Sequence, residues 1–184
     1  MTVIAAVHDG ERYAIAGDSW ITMGPWGRGD VVGGKVWRYG AWLFGFADVR
    51  MQAERAKRWM ETQSTLEQAL DDNPVEALEL LHQHLLQWAP QAEPGKLRFT
   101  ELDLLAVGPS GIWRLTGVGE ALRHSSSFAI GNADDFAMGV LWTLEHIEGV
   151  LPTDAVCMAV EGACRHFDGC RGPVEVLDHH LLGG

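Results

Sequence analysis

The pattern of hydrophobic and polar positions predicts two β-hairpins in the first quarter of the chain. Each has two strands rich in Val, Ile, Ala or aromatic residues on either side of a turn that contains glycine. The strands are predicted at 2–8 and 12–16 for the first hairpin, and at 35–39 and 41–46 for the second. Between the hairpins, residues 24–29 have the composition of a loop.

After the second hairpin the hydrophobic spacing changes to that of an α-helix. Val49, Ala53, Ala56 and Met60 recur at helical intervals, and Asp48 is expected to cap this helix through its side chain. A further helix is predicted from Asn73-Pro74, because asparagine is a favoured cap and proline is favoured at the first helical position. Its hydrophobic face comprises Leu78, Leu81, Leu85 and Trp88, and Pro90 is expected to end it.

The second half of the chain predicts more strands, two helices and a final strand. Strands are expected at 102–107, 112–115 and 128–130, helices at 134–147 and from Pro152 to about Gly169, and a last strand at 174–176. Hairpins, helices, antiparallel strands and helices in this order predict an α+β fold with two helix-covered sheets packed face to face. Residues 1–184 are expected to form a single domain.

Composition and charge exclude several classes of function. Hydrophobic residues make up 47% and charged residues 21%, as in a soluble globular protein. The formal net charge is −11, so the surface would repel phosphate backbones and no nucleic-acid partner is expected. No apolar run approaches the roughly 18 residues of a membrane span, and no signal peptide is apparent, so a cytoplasmic location is expected. Three cysteines, an odd number, favour free thiols over a disulfide framework.

Two motifs that suggest ligand binding do not fit their context. Gly29 to Lys35 has the spacing of a phosphate-binding loop, but Val36 stands where Ser or Thr would hold magnesium, and a strand follows where a helix is needed. His179 and His180 have no further ligand that converges on them from the sequence. Neither a cofactor nor a metal is therefore predicted.

The beginning of the chain suggests nucleophilic catalysis. Once Met1 is removed, the α-amino group of Thr2, with an ordinary pKa of about 7.7–8.0, can accept the proton of its own hydroxyl. A lysine held by a carboxylate would promote this transfer, and Lys35 and Asp18 are candidates for these two roles. Spacing alone also fits a turn residue at Asp18 and a surface charge at Lys35.

Six segments together resemble the β-subunits of proteasomes and the bacterial protease HslV, in order and over nearly the whole chain. The small size and divergent details suggest the bacterial proteasome homologues that are neither HslV nor the actinobacterial type. The segments are Thr2 to Val7, Ala14 to Ser19, Lys35-Val36, Leu43 to Ala47, Ala129 to Asn132, and Asp168 to Val174.

The resemblance implies the αββα four-layer sandwich of the N-terminal nucleophile (Ntn) hydrolases, and a set of site residues. By position, Thr2 is the nucleophile, Lys35 and Asp18 match the lysine and aspartate of the family, and Asp168 orients the threonine. The resemblance also implies three substrate-binding residues. Thr22 would pair its backbone with an extended peptide, Phe46 would form the floor of the specificity pocket, and Ala47 lies next to it.

Three positions depart from the pattern of the family. Asn132 and Arg171 stand where serines usually support the threonine amine, so the proton-handling network must differ, and Arg171 is expected to compete with Thr2 for Asp168. Asp48 replaces the glycine whose backbone N–H forms the oxyanion hole; its N–H remains available, but its carboxylate would oppose a developing oxyanion. Low peptidase activity is therefore expected.

The function predicted from the sequence is that of a threonine endopeptidase. The resemblance implies a homo-oligomer of stacked hexameric or heptameric rings that encloses the active sites, with unfolded polypeptide as substrate and an ATPase unfoldase as a candidate partner. Two alternatives remain open at this point: a catalytically weak or inactive ring-forming scaffold that retains Met1, and an amidase of the same fold that acts on a small amide.

Overall fold

The computed structural model of the chain describes residues 2–22, 28–30, 34–89 and 100–181. The helices are α1 (Arg50–Thr62), α2 (Leu66–Asp72), α3 (Pro74–Leu86), α4 (Asp134–Leu144) and α5 (Pro152–His166). The strands are β1 (Val3–His8), β2 (Arg12–Asp18), β3 (Trp20–Thr22), β4 (Arg28–Asp30), β5 (Val36–Tyr39), β6 (Trp42–Asp48), β7 (Leu102–Gly108), β8 (Gly111–Leu115), β9 (Ala121–His124), β10 (Ser127–Gly131) and β11 (Val174–His180).

Two antiparallel sheets form the centre of the molecule. The first has the strand order β10-β1-β2-β11 and the second β5-β6-β7-β8-β9, while β3 and β4 pair separately. Helices α4 and α5 cover the outer face of the first sheet, and α1 and α3 pack on the outer face of the second. The inner faces meet through aliphatic side chains such as Ile4, Ile15, Leu105 and Ile130. The predicted αββα sandwich is therefore confirmed.

The two sheets approach closely where β1 begins. A Cβ atom added to Gly17 would lie 2.7 Å from Ile4 Cδ1, and one added to Gly45 would lie 2.5 Å from Ile4 Cγ2. Because real Cβ atoms do not come so near another carbon, both positions need glycine for the sheets to close over Ile4. This contact fixes the position of β1 relative to the second sheet. It does so at Ile4, only two residues after Thr2.

The capping signal at Asn73 is confirmed. The Asn73 side chain accepts a hydrogen bond from the Glu76 backbone N–H at 3.4 Å, and Pro74 occupies the first turn of α3. Trp88, however, lies beyond the end of α3 and is 54% exposed, so its assignment to the hydrophobic face is wrong. Pro90 lies outside the described residues.

Four short elements were not predicted from the sequence: α2, β3, β4 and β9. The first part of the loop predicted at 24–29 lies outside the described residues, while its end belongs to β4. Both helices of the second half end earlier than predicted, at Leu144 and His166, and β11 continues to His180 instead of ending at 176. Within the described segments, no helix combines the length and the apolar composition needed to span a membrane.

Candidate active site

Thr2 lies directly before β1, at the edge where the two sheets meet. Its Oγ1 accepts a hydrogen bond of 2.8 Å from Lys35 Nζ, and its carbonyl accepts one of 2.9 Å from the backbone N–H of Asn132. Only 6% of the residue is exposed. The backbone of the first sheet therefore holds Thr2 in place, and its hydroxyl faces a cation.

Asp18, the last residue of β2, holds that cation. Its Oδ1 accepts hydrogen bonds of 2.9 Å from Lys35 Nζ and from the Val3 backbone N–H, and its Oδ2 accepts one of 3.1 Å from the Trp20 N–H. With 0% exposure, this carboxylate has exchanged water for three protein donors. Because one of the donors belongs to Val3, Asp18 also fixes the strand that carries Thr2.

Lys35 is 1% exposed, and its ammonium group bridges the Thr2 hydroxyl and the Asp18 carboxylate. Burial lowers the pKa of the Lys35 ammonium group, while the charge of Asp18 and the hydrogen bond to it act in the opposite direction. The surface position that spacing alone allowed for Lys35 is thus not the one observed. The structure brings together Thr2, Asp18 and Lys35, three of the four residues expected to be catalytic.

Gly131 also contributes to the site, and only the structure shows why this position needs glycine. It pairs with Val3 at the end of β10 and has φ +105°, and an added Cβ would lie 2.3 Å from the Thr2 carbonyl oxygen. A side chain here would both strain the backbone and displace Thr2. The only signal in the sequence was its place in the Ala129 to Asn132 segment.

The expected capping role of Asp48 is wrong. Asp48 is the last residue of β6, paired with Leu102, and the N-cap of α1 is Val49, which makes no side-chain capping bond. Within the described ranges, Asp48 is the one non-glycine residue with a positive φ, +74°. Aspartate tolerates this left-handed conformation better than most residues, at a cost that glycine would not have.

The carboxyl group of Asp48 lies among other acidic groups. It borders a surface cavity of about 490 Å³ together with Glu101, Asp103 and Arg114. Burial raises the pKa of the Asp48 carboxyl group, and the charges of Asp103 and Glu101 raise it further, while Arg114 opposes them. Arg114 is itself engaged, because it donates two hydrogen bonds to Asp103, at 2.9 and 2.8 Å.

Asp168 lies near the same end of the first sheet as Asn132 and Arg171, two of the three residues that differ from the resembled pattern. Asp168 is exposed in the turn after α5, and its action on Thr2 remains a prediction. Asn132 supports Thr2 through its backbone, while its side chain is exposed. The Arg171 guanidinium lies 4.2 Å from the centre of the Trp20 ring, and the Arg171 carbonyl accepts a bond of 3.3 Å from the Ser19 N–H.

The three residues expected to bind substrate have different surroundings. Thr22 pairs with Arg28 across β3 and β4, and its side chain lies outside the described part of the structure. Phe46 is 1% exposed and packs near Trp37 on the helix-covered side of the second sheet, while Ala47, also 1% exposed, faces the other sheet. Contact of these residues with a substrate remains a prediction.

A metal centre is not apparent in the described ranges, where no group of three or more His, Cys, Asp and Glu side chains is placed to hold an ion. The groups that the structure brings into contact at the site are the Thr2 hydroxyl, the buried Lys35 ammonium group and the buried Asp18 carboxylate.

Comparison with proteins of known structure identifies the fold of the chain. No protein-family model matches the chain, and no curated protein matches it in sequence. Among solved structures, BPH from Thiobacillus denitrificans in complex with epoxomicin is 18% identical, with a TM-score of 0.83 over 99% of this chain and 100% of that one. A second BPH structure gives a TM-score of 0.82 at 18% identity over 100% of both chains.

HslV from Trypanosoma brucei is 17% identical and gives a TM-score of 0.74 over 97% of this chain and 99% of that one. These similarities extend from end to end, and they confirm the resemblance recognised in the sequence at the level of the fold. The chain has the HslV-type fold that BPH and HslV share.

Proposed function

We propose that this protein is a proteasome-type threonine peptidase in which Thr2 is the nucleophile after removal of Met1. The observation that carries the proposal is the buried chain of contacts from Thr2 Oγ1 through Lys35 Nζ to Asp18 Oδ1, with distances of 2.8 and 2.9 Å. A buried lysine that contacts a hydroxyl is costly, and its placement beside the first strand is explained by catalysis. The fold shared with BPH and HslV supports the same conclusion.

The first half of the reaction forms an ester. The neutral α-amino group of Thr2 takes the Oγ1 proton while Oγ1 bonds to the carbonyl carbon of a peptide, and the carbonyl π electrons move to the oxygen. When the tetrahedral intermediate collapses, the C–N bond breaks and the leaving amine takes the proton from the Thr2 ammonium group. The N-terminal part of the substrate then remains on Thr2 as an ester.

The second half releases the product. A water molecule gives a proton to the Thr2 amine as it attacks the ester carbonyl, and the bond to Oγ1 breaks as Oγ1 takes a proton back. No step requires a metal or a second nucleophile, because one residue supplies both the hydroxyl and the base.

Lys35 contributes through its charge. An ammonium group 2.8 Å from Oγ1 stabilises the negative charge that develops when the proton leaves, and it disfavours protonation of the neighbouring α-amine. Asp18 keeps that ammonium group charged and in position. Asp168 is proposed to orient Thr2 from the turn after α5.

Asp48 is proposed to supply its backbone N–H to the oxyanion and to limit the rate at the same time. Its positive φ is the conformation in which glycine would be unstrained, and its carboxyl group lies beside Glu101 and Asp103. Negative charge near a developing oxyanion raises the barrier. We therefore expect a slow peptidase, with an inactive ring-forming scaffold as the second candidate that this observation favours.

Assembly into stacked rings is part of the same proposal. Aromatic residues and methionine, the types enriched at protein–protein interfaces, are exposed on α4 and α5. They are Phe136, Trp142 and Met158. Such a surface suits contact with further copies of this chain, and a closed ring would confine cleavage to unfolded polypeptide that enters it, with an ATPase unfoldase as a candidate partner.

The experiment that tests the proposal compares two substitutions at Thr2. Thr2→Ser keeps a hydroxyl and an α-amine and should retain measurable hydrolysis of a fluorogenic peptide, whereas Thr2→Ala keeps only the amine and should lose at least 100-fold. Equal activity in both variants would contradict Thr2 as nucleophile. A wild-type protein that hydrolyses small amides but no peptide would favour the amidase.

A further inference from the structure

The residues that follow β2 are held by the segment that precedes β11. The Ser19 backbone N–H donates a hydrogen bond of 3.3 Å to the Arg171 carbonyl oxygen, and Val174, the first residue of β11, pairs with Asp18. The Arg171 guanidinium lies over the ring of Trp20, at 4.2 Å from its centre. Arg171 therefore contacts two consecutive residues, one through its backbone and the other through its side chain.

The contact between Arg171 and Trp20 is a cation–π interaction. A guanidinium group within about 6 Å of the centre of an aromatic ring is attracted to the face of that ring, and tryptophan is the most favourable partner. Arg171 is exposed and Trp20 is half-buried, so burial does not force the arginine side chain into this position. The attraction between the flat guanidinium group and the ring holds the two side chains together, and Arg171 thereby restrains Trp20.

Trp20 is connected to the Thr2 site through its backbone. Its N–H donates the 3.1 Å hydrogen bond to Asp18 Oδ2, while Asp18 Oδ1 accepts hydrogen bonds of 2.9 Å from Lys35 and Val3. The terminal torsion of an aspartate side chain is intrinsically loose, and donors on both oxygens fix it. Without the Trp20 donor, the carboxylate would be free to turn away from the orientation in which it holds the Lys35 ammonium group.

We propose that Arg171 is a positioning residue that acts on catalysis through Trp20 and Asp18. Its side chain restrains Trp20 and keeps the Trp20 N–H on Asp18 Oδ2. Asp18 in turn keeps Lys35 Nζ at 2.8 Å from Thr2 Oγ1. The effect on catalysis rests on the proposed function, whereas the restraint on Trp20 does not.

This role has the opposite sign to the one expected from the sequence. If Arg171 competes with Thr2 for Asp168, the loss of its charge should raise activity. If Arg171 restrains Trp20, the loss of its side chain should lower kcat by about two- to fivefold, the range that a cation–π contact at an exposed site supplies. KM should stay nearly unchanged, because the carboxylate and ammonium groups of the site act on the nucleophile and not on the bound peptide.

The experiment compares Arg171→Met, Trp20→Leu and the double variant with wild type. Arg165→Met is the matched control, because Arg165 borders the same surface cavity as Arg171 and pairs with Glu161 at 3.9 Å. Hydrogen exchange of the full-length chain, measured on peptides that cover residues 17–22, should be faster in Arg171→Met and Trp20→Leu and unchanged in Arg165→Met. In kcat, the double variant should lose no more than Trp20→Leu alone, because both substitutions break the same contact.

Exchange at the wild-type rate in Arg171→Met would overturn the restraint on Trp20. A higher kcat in Arg171→Met, or losses of kcat that add in the double variant, would overturn the action through Trp20. The exchange measurement does not depend on catalysis. A protein that hydrolyses no peptide but exchanges faster in Arg171→Met would contradict the proposed function and support the restraint, whereas an active protein with the same kcat in wild type and Arg171→Met would contradict the positioning role alone.

Discussion

Lys35 Nζ donates a 2.8 Å hydrogen bond to Thr2 Oγ1, although 33 positions of sequence separate the two residues. The contact exists because β1 and β5 belong to different sheets and the sheets pack closely over Ile4. The catalytic proposal therefore depends on how the two sheets are packed as much as on the identity of the residues.

Removing the buried cation should destabilise the fold. Lys35→Ala leaves the Asp18 carboxylate buried without its cation, and we expect a loss of about 3–5 kcal/mol in the free energy of unfolding. The control is Arg165→Ala, which breaks an exposed pair with Glu161 at 3.9 Å and should cost less than about 1 kcal/mol. Urea unfolding measures both, and equal losses would contradict the structural role assigned to Lys35.

Stability should depend on pH through the same lysine. Because burial lowers the pKa of Lys35 in the folded state, the unfolded chain binds more protons between that lowered pKa and 10.5, and stability should rise with pH across this window. Tyr13 acts in the opposite sense above pH 10, since burial raises its pKa to about 12 in the folded state. The effect of Lys35 is therefore best measured by urea unfolding between pH 8 and 10, below the range in which Tyr13 opposes it.

The comparison for this pH dependence is Lys35→Met, which removes the titrating group and keeps most of its volume. The difference in unfolding free energy between wild type and variant should grow in favour of wild type as the pH rises. A difference that stays constant or shrinks over this range would show that the pKa of Lys35 is not lowered in the folded state.

Changes at Asp48 separate charge from backbone strain. Asp48→Asn removes the charge but keeps a side chain that tolerates positive φ, whereas Asp48→Gly removes both the charge and the strain. If the carboxylate opposes the oxyanion, both variants should hydrolyse peptides faster, by up to roughly tenfold, or about 1.4 kcal/mol in the barrier. Steady-state kinetics of peptide hydrolysis measure this effect. A slower rate in both variants would contradict the inhibitory role of the Asp48 carboxylate.

Glycine is required at position 131 because the backbone carbonyl of Thr2 lies where a side chain would begin. Gly131→Ala would place a Cβ 2.3 Å from the Thr2 carbonyl at φ +105°, so we expect a conformational cost of about 1–2 kcal/mol, a further cost from the clash, and a lower kcat. Gly139→Ala in α4 is the control, because its Cβ would meet nothing within 4 Å and should be neutral or stabilising. A Gly131→Ala variant with unchanged stability and kcat would contradict the positioning role.

Local signals in the sequence predicted the elements that have clear caps and periodicity. The first hairpin and the beginning of α3 at Asn73-Pro74 follow from turn and capping preferences. In contrast, α2 buries only Leu66 and Leu70, and β9 has no fully buried residue, so neither carries a strong hydrophobic pattern. Such elements depend on tertiary contacts that a linear pattern does not contain.

The candidate site was less accessible to sequence reasoning than the fold. Spacing alone did not distinguish a buried Lys35 from a surface charge, because its burial depends on the packing of two sheets; the resemblance to proteasome β-subunits supplied the pairing with Thr2. The capping role expected of Asp48 was wrong because β6 runs two residues further than the hydrophobic pattern indicated.

The most direct test of the central claim is the intact mass of the protein purified from its native host, before and after incubation with a threonine-directed epoxyketone. The account predicts a chain that has lost Met1 and gains one inhibitor on Thr2, with no gain in Thr2→Ala. A chain that keeps Met1, or a processed chain that stays unlabelled, would contradict it.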